Sequence, residues 1–226
     1  MVFPPTVFPF PIQAVIFDMD GLLIDSESLV RRALIQAAEN LGYEMPISLC
    51  AAMIGLPETQ NARQIQEHFG PDFPVERYRA EERRQVDLLL SDGIALKTGV
   101  LEILDHLDRR ALPRAVATSS SRNSARTHLG HNGILERFGA IVAREDVERH
   151  KPNPDPFLKA AALLGVDPVN CLALEDSHNG VRAAHAAGMM TVMVPDLLEP
   201  TDEMHEKCVL IAESLHRVVE LIDAGA

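Results

Sequence analysis

The sequence predicts an α/β fold, a doubly wound parallel sheet into which a helical segment is inserted. Three observations lead to this prediction. Apolar strands alternate with amphipathic helices from about residue 98 onward, which is typical of a parallel sheet with helices on both faces. The run Val15 to Phe17 has the β-branched and aromatic composition of a strand buried on both faces. Residues 28–91 contain amphipathic helices separated by glycines and show no convincing strand.

We therefore expect a Rossmann-like core domain formed by residues 1–27 and 92–226, and an inserted α-helical cap domain formed by residues 28–91. After the first strand, Asp25 or Ser26 can cap a helix that ends at Gly42. The remaining predicted elements are helices 58–68, 75–90 and 100–110, strand 114–118, helix 122–132, strand 140–143, helix 156–164, strand 171–174, helix 178–187, strand 191–194, a weaker strand 208–211 and a closing helix 213–222.

Composition limits the classes of partner and compartment. The 226 residues are 46% hydrophobic, and their formal net charge of -12 argues against a nucleic acid or an anionic membrane as partner. Residues 1–11 are apolar but contain four prolines and no basic residue, so we expect an extended leader rather than a signal peptide. The three cysteines form no C-x-x-C pair, which indicates neither a disulfide framework nor a zinc site and favours a reducing cytoplasm.

The first predicted strand ends in two acids and a glycine. Asp18 and Asp20, followed by Gly21, would project beyond the carboxyl end of the strand, where ligands bind in open α/β sheets. A calcium loop is the first alternative, but an EF-hand counted from Asp18 needs a glycine and a glutamate where the chain has Leu23 and Leu29. A plain surface turn is the second alternative, and the residues at the other strand ends must decide between it and a ligand site.

Three later segments carry polar groups at comparable positions. Thr118 and Ser119 end one predicted strand just before a helix, where a hydroxyl and free backbone N–H groups suit a phosphate, although an ordinary helix cap is the simpler explanation of that segment alone. Lys151 lies in a loop stiffened by two prolines, where a plain loop lysine is the alternative. Glu175 and Asp176 end another buried strand, and Asp176 alone could be a helix cap.

Taken together, these groups predict a cation site. Asp18 and Asp176, if about 4 Å apart, would repel each other by about 4 kcal/mol at an effective dielectric of about 20, and Glu175 would add to the repulsion. The positive charge of Lys151 can offset part of this repulsion. Mg²⁺ would offset the rest, because it binds through a few carboxylates and a substrate phosphate. A strand-end carboxylate can then attack phosphorus while a second acid moves the proton.

These motifs resemble those of the haloacid dehalogenase superfamily, in its phosphatase and β-phosphoglucomutase-like branch with a helical cap after the first strand. The resemblance extends from Val15 to about Val194 with the motifs in the same order. The motifs are Asp18-Met19-Asp20-Gly21, Thr118-Ser119, Lys151-Pro152 and Glu175-Asp176-Ser177 with Gly180.

The resemblance implies roles for individual residues. Asp18 resembles the nucleophile, and Asp20 the acid/base that protonates the leaving group and then activates water. Thr118 resembles the phosphate-binding hydroxyl, with Ser119 as the alternative if the strand register shifts by one, and Lys151 resembles the lysine that holds nucleophile and phosphate together. The implied Mg²⁺ ligands are Asp18, the backbone carbonyl of Asp20, Asp176 and, directly or through water, Glu175.

We therefore expect Mg²⁺-dependent hydrolysis of a small phosphate monoester, of a sugar, polyol or nucleoside, through an aspartyl-phosphate intermediate. One alternative is a β-phosphoglucomutase-like phosphosugar mutase. The chain departs from that pattern, with Val30 where the resembling mutases carry a histidine and Gly55-Leu56-Pro57-Glu58 where they carry a cap arginine. A remote alternative is a non-catalytic phosphate-binding module. The expected partner is a small phosphorylated metabolite, with no nucleic acid or membrane, and the expected state is a monomer or weak dimer.

Overall fold

The structure is a computed structural model, and it describes residues 8–53, 58–91 and 93–224. Within these residues one sheet of six parallel strands has the order β3-β2-β1-β4-β5-β6. The predicted α/β class with a parallel sheet is confirmed. The strands are β1 (Ala14–Phe17), β2 (Arg114–Ala117), β3 (Ala140–Val142), β4 (Cys171–Glu175), β5 (Met190–Met193) and β6 (Leu210–Ile211).

Helices connect the strands and form the inserted segment. Within the described residues they are α1 (Ser26–Asn40), α2 (Ile47–Met53), α3 (Glu58–Phe69), α4 (Val75–Ser91), α5 (Val100–Arg109), α6 (Arg122–His131), α7 (Asp155–Leu164), α8 (His178–Ala186), α9 (Asp202–Lys207) and α10 (Leu215–Ala224). None of the helices in the described part of the chain is both long and apolar enough to cross a membrane.

Strand β1 lies at the centre of the sheet and sets the position of the site. Its four residues are fully buried, as its unbroken apolar sequence predicts. Phe17 is in register with Val116 of β2 on one side and with Leu174 of β4 on the other. Because all three strands are parallel, the residues that follow them emerge at one edge of the sheet, where the strand order changes direction and a crevice forms.

The chain divides into two compact units. The first contains the sheet and consists of the residues through Asp25 and from Ala95 onward; the second is Ser26–Ile94, and its described residues contain helices and no strand. The predicted limits of the cap domain, 28–91, lie just inside the second unit.

The helical unit has a hydrophobic core of its own. The Tyr78 hydroxyl donates a hydrogen bond to the Leu34 carbonyl oxygen at 3.1 Å, which ties α4 to α1 in the buried interior. The buried residues of this core are Leu34, Ala37, Ala38, Met45, Cys50, Met53, Ile65, Phe73 and Tyr78.

No limits were predicted for α2, which lies in the helical stretch between Gly42 and Gly55, and α9 was not predicted. Helix α2 follows Pro46, whose carbonyl oxygen accepts the amides of Leu49 and Cys50, and its seven residues are too few for a helical period to show. Helix α9 follows Thr201 and has two acids in its first turn, a pattern typical of a helix start. The helix is short and mostly polar, so it shows no apolar periodicity from which it could be predicted.

Candidate active site

The carboxyl edge of the sheet brings Asp18, Lys151 and Glu175 into direct contact. Asp18 follows β1 and is 6% exposed, so the surface-turn alternative is wrong. The Lys151 ammonium donates to Asp18 Oδ1 and, at 2.5 Å, to Glu175 Oε1. It also lies 5.0 Å from the centre of the Phe157 ring, whose face favours a cation. Lys151 is therefore a buried bridge between two acids rather than a loop lysine.

Glu175 is held by hydrogen bonds to both of its carboxylate oxygens. Oε2 accepts the backbone N–H groups of Asp176 and Ser177, each at 3.0 Å, and the Ser177 hydroxyl at 2.9 Å. A β-carbon placed on Gly180 would lie 1.7 Å from Glu175 Oε1. Glycine at position 180 is therefore required, because it lets helix α8 start directly against this carboxylate.

Asp176 occupies the neighbouring position, close to the turn after β1. A β-carbon on Gly21 would lie 2.2 Å from Asp176 Oδ2, and Gly21 has a φ of 81°, in the left-handed region. Both facts require glycine at position 21. Ser177, which accepts the Gly180 amide at 3.1 Å, is the N-cap of α8. The helix-cap alternative for Asp176 is therefore wrong.

Two hydroxyls hold the second acid of the pair. Asp20 Oδ2 accepts the Ser120 hydroxyl at 2.7 Å and the Thr118 hydroxyl at 3.3 Å. Thr118 is buried, whereas Ser119 is exposed. Helix α6 is capped by Ser121, which accepts the Ser124 amide, so the helix-cap alternative for the Thr118 segment is wrong. The roles inferred for Thr118 and Ser119 stay predictions.

Burial and like charge control protonation at this edge. Burial raises the pKa of Asp18 to about 8; the Lys151 ammonium opposes this change, and the charges of Glu175 and Asp20 add to it. Burial, followed by the charges of Asp18 and Glu175, raises the pKa of Asp176 to about 9. Burial alone would lower the pKa of Lys151, but the two carboxylates together outweigh it and raise that pKa above its ordinary value.

The donor set fits a hard divalent cation. Among the described residues, Asp18, Glu175 and Asp176 each offer a ligand oxygen, and these oxygens lie within 4.8 Å of one another. Three carboxylates around one lysine leave excess negative charge in a buried site, and a divalent cation would compensate it. The Asp20 carboxylate is not in this group; the prediction for Asp20 concerns its backbone carbonyl oxygen.

Several contacts at the site were not anticipated from the sequence. The Ser120 hydroxyl donates to Asp20 and the Ser177 hydroxyl donates to Glu175. Ser177 belongs to a motif named from the sequence, whereas the only sequence signal for Ser120 is its position next to Thr118 and Ser119. Lys97 forms an ion pair with Asp196 at 2.6 Å and lies 3.8 Å from Asp25. No sequence spacing indicates that a pair of residues 99 positions apart will meet.

The two departures from the mutase pattern fall in the second unit. Val30 lies on α1 and is 37% exposed. The segment Gly55-Leu56-Pro57 lies outside the described residues, as does the side chain of Glu58.

Comparisons with known proteins agree with this architecture. The family described as haloacid dehalogenase-like hydrolase matches residues 15–194. A fructose-1-phosphate phosphatase of Escherichia coli is 35% identical over 179 residues, covering 79% of this chain and 94% of the relative. Hexitol phosphatase B of Escherichia coli is 34% identical over 219 residues, covering 94% of this chain and 96% of the relative.

A solved structure is also similar to this chain. The structure of a candidate β-phosphoglucomutase from Thermotoga maritima aligns with a TM-score of 0.80 at 26% identity, covering 94% of this chain and 99% of that chain. The chain therefore belongs to the haloacid dehalogenase-like hydrolases, among relatives that are phosphatases and on a β-phosphoglucomutase-like fold.

Proposed function

We propose that the protein is a Mg²⁺-dependent phosphatase that hydrolyses a small phosphate monoester through an aspartyl-phosphate intermediate. The observation that carries the proposal is the pairing of Asp18 and Asp20. One acid is fixed by the Lys151 ammonium, and the other, two residues on, is fixed by two hydroxyls. A fixed nucleophile beside a separately fixed proton carrier is what covalent phosphoryl transfer requires.

In the first step an Asp18 carboxylate oxygen attacks phosphorus, and the bond from phosphorus to the ester oxygen breaks. Asp20 in its protonated form gives its proton to the leaving oxygen, so the alcohol departs neutral. In the second step Asp20 takes a proton from water as that water attacks the same phosphorus. Inorganic phosphate leaves, and the Asp18 carboxylate is restored.

Lys151 and Thr118 hold the transferred group. The ammonium already binds Asp18, and its charge favours the phosphoryl oxygens next to that carboxylate. The Thr118 hydroxyl lies next to Asp20 and can donate to another phosphoryl oxygen. Ser119, the alternative phosphate-binding hydroxyl, is exposed. Ser120 keeps Asp20 oriented.

Asp18, Asp176 and the backbone carbonyl of Asp20 would hold Mg²⁺. Glu175 accepts protein hydrogen bonds at both oxygens, so it would contact the cation through water and act mainly by positioning Lys151. When bound, the cation neutralises the carboxylates and the phosphate, and so supplies the electrostatic stabilisation that phosphoryl transfer needs.

The proposed substrate is a phosphorylated sugar or polyol, and a nucleoside phosphate is the other class considered. Relatives that act on fructose 1-phosphate and hexitol phosphates support this class. Hydrolysis is favoured over mutase chemistry because Val30 offers no imidazole to control the acid/base.

We further propose that the protein acts in the cytoplasm as a monomer or weak dimer, without a nucleic-acid or membrane partner. Its net charge of -12 supports the proposed lack of a nucleic-acid or membrane partner.

The test is a screen of phosphate monoesters with Mg²⁺ that measures released phosphate. The panel contains sugar, polyol and nucleoside phosphates, and it includes β-glucose 1-phosphate with a trace of the bisphosphate. We expect phosphate release from one class and little glucose 6-phosphate. Rapid formation of glucose 6-phosphate without phosphate release would identify a mutase, and release from no ester would contradict the proposal.

A further inference from the structure

Asp196 is a partly buried acid that lies beside the candidate cation site and takes no part in the proposed chemistry. It follows strand β5, the neighbour of β4 in the sheet, and its side chain is 14% exposed. Its Oδ1 atom accepts a hydrogen bond from the Lys97 ammonium at 2.6 Å. This bond fixes the orientation of the carboxylate and offsets its charge.

The second oxygen of Asp196 is buried and accepts no hydrogen bond within the described part of the chain. Burying a charged acceptor without a donor costs more than a hydrogen bond contributes, so such atoms are rare in native proteins. Lys97 binds the other oxygen, and its next carboxylate neighbour is Asp25 at 3.8 Å. The arrangement leaves Oδ2 available to a donor from outside the polypeptide.

Gly21 lies close both to this oxygen and to Asp176. A β-carbon on Gly21 would lie 3.6 Å from Asp196 Oδ2 and 2.2 Å from Asp176 Oδ2. Both oxygens therefore lie on the same side of Gly21, no farther apart than those two distances together allow. A water on Mg²⁺ lies about 3 Å from a neighbouring ligand oxygen, and a hydrogen bond from that water spans about 2.8 Å more. One cation-bound water can therefore bridge the two carboxylates.

We propose that Asp196 is a positioning residue whose Oδ2 accepts a hydrogen bond from a water molecule on the cation held by Asp18 and Asp176. This inference rests on the proposed function, because it concerns the same cation. Asp196 does not touch the substrate or the metal. It orients one bound water, and Lys97 holds it in place from the opposite side.

The test is calorimetric titration of Mg²⁺ into the metal-free full-length protein, which requires no substrate. In Asp196→Asn, the side-chain oxygen can still accept from Lys97, but an NH₂ donor then faces the bound water. We expect the dissociation constant for Mg²⁺ to rise about tenfold, as is usual when an outer partner of a metal site is lost. The matched control is Asp25→Asn, which removes the same charge from the other carboxylate beside Lys97 and should change affinity by less than about threefold.

The possible outcomes separate this inference from the proposed function. If the wild type binds Mg²⁺ and Asp196→Asn binds it equally well, the inference is wrong and the proposed function stands. If both variants weaken binding equally, charge alone explains the effect and the inference is again wrong. If the wild type shows no saturable Mg²⁺ binding while Asp176→Asn behaves identically, the proposed cation requirement itself fails.

Thermal unfolding of the metal-free variants checks that they fold. Asp196→Ser is the second variant, because its smaller side chain does not place an NH₂ donor against the proposed cation-bound water. It should also weaken Mg²⁺ binding, by less than Asp196→Asn, since a serine hydroxyl can accept a hydrogen bond from an intervening water. Wild-type affinity in Asp196→Ser would contradict the inference.

Discussion

Replacing Gly180 by alanine tests how tightly Glu175 is held. The new methyl group would lie 1.7 Å from Oε1 and 1.8 Å from Cδ of Glu175. The carboxylate cannot move aside easily, because Lys151 binds Oε1 and Ser177 binds Oε2 through both its amide and its hydroxyl. Overpacking costs about 1–3 kcal/mol, and loss of one hydrogen bond to a buried charge costs about 1.5–3 kcal/mol. We expect Gly180→Ala to lower the free energy of unfolding by about 3–5 kcal/mol and to abolish phosphatase activity.

The matched control is Gly130→Ala, because Gly130 also lies within a helix, α6. A β-carbon there would meet Leu135 at 3.8 Å, an ordinary contact, so helix propensity alone should raise stability by up to about 1 kcal/mol. The assay is urea unfolding followed by far-UV circular dichroism, with phosphate release measured on the same preparations. Stability and activity equal to the wild type in Gly180→Ala would refute the close approach of α8 to Glu175.

Three further predictions concern the charges and hydroxyls of the site. Lys151→Met should abolish turnover and lower the free energy of unfolding of the metal-free protein by about 3 kcal/mol or more, because breaking a buried ion pair leaves a carboxylate uncompensated; urea unfolding measures this, and an unchanged midpoint would contradict it. Mg²⁺ binding at pH 7 should release protons, since the pKa values of Asp18 and Asp176 are raised to about 8 and about 9, and apparent affinity should increase as pH rises toward 9. Calorimetry in buffers of different ionisation enthalpy measures that release, and pH-independent binding without release would rule it out. Ser120→Ala should lower kcat about tenfold with a smaller change in KM, because it removes the 2.7 Å hydrogen bond to Asp20; unchanged steady-state kinetics would show that this bond does not matter.

The sequence was sufficient to predict the sheet and the strand ends that carry chemistry. Strands such as Val15 to Phe17 are buried on both faces, so their composition alone identifies them. Parallel pairing then requires Asp18, Thr118 and Glu175 to emerge at one edge, and the structure brings these groups together there. The helical insert was also predictable, because its helices show amphipathic periods between glycines.

The contacts that hold the site together were not predictable in the same way. The Lys97–Asp196 ion pair and the Ser120–Asp20 hydrogen bond join residues far apart in sequence, and neither leaves a local pattern. The requirement for glycine at position 180 also comes from a contact in the folded structure that the local sequence does not show. Its backbone is not in the left-handed region, and only the approach of Glu175 makes a side chain impossible. Short polar elements such as α9 are too brief for a period to be read.

The most direct test of the central claim is to trap the intermediate on Asp18. The enzyme is quenched rapidly during turnover of its best substrate with Mg²⁺, and the Asp18 peptide is examined by mass spectrometry, with Asp18→Asn as control. The account predicts one phosphoryl group on Asp18 during turnover, none after the substrate is consumed, and neither phosphorylation nor turnover in Asp18→Asn. Full turnover by Asp18→Asn, or turnover by the wild type with the phosphoryl group on another residue, would contradict it.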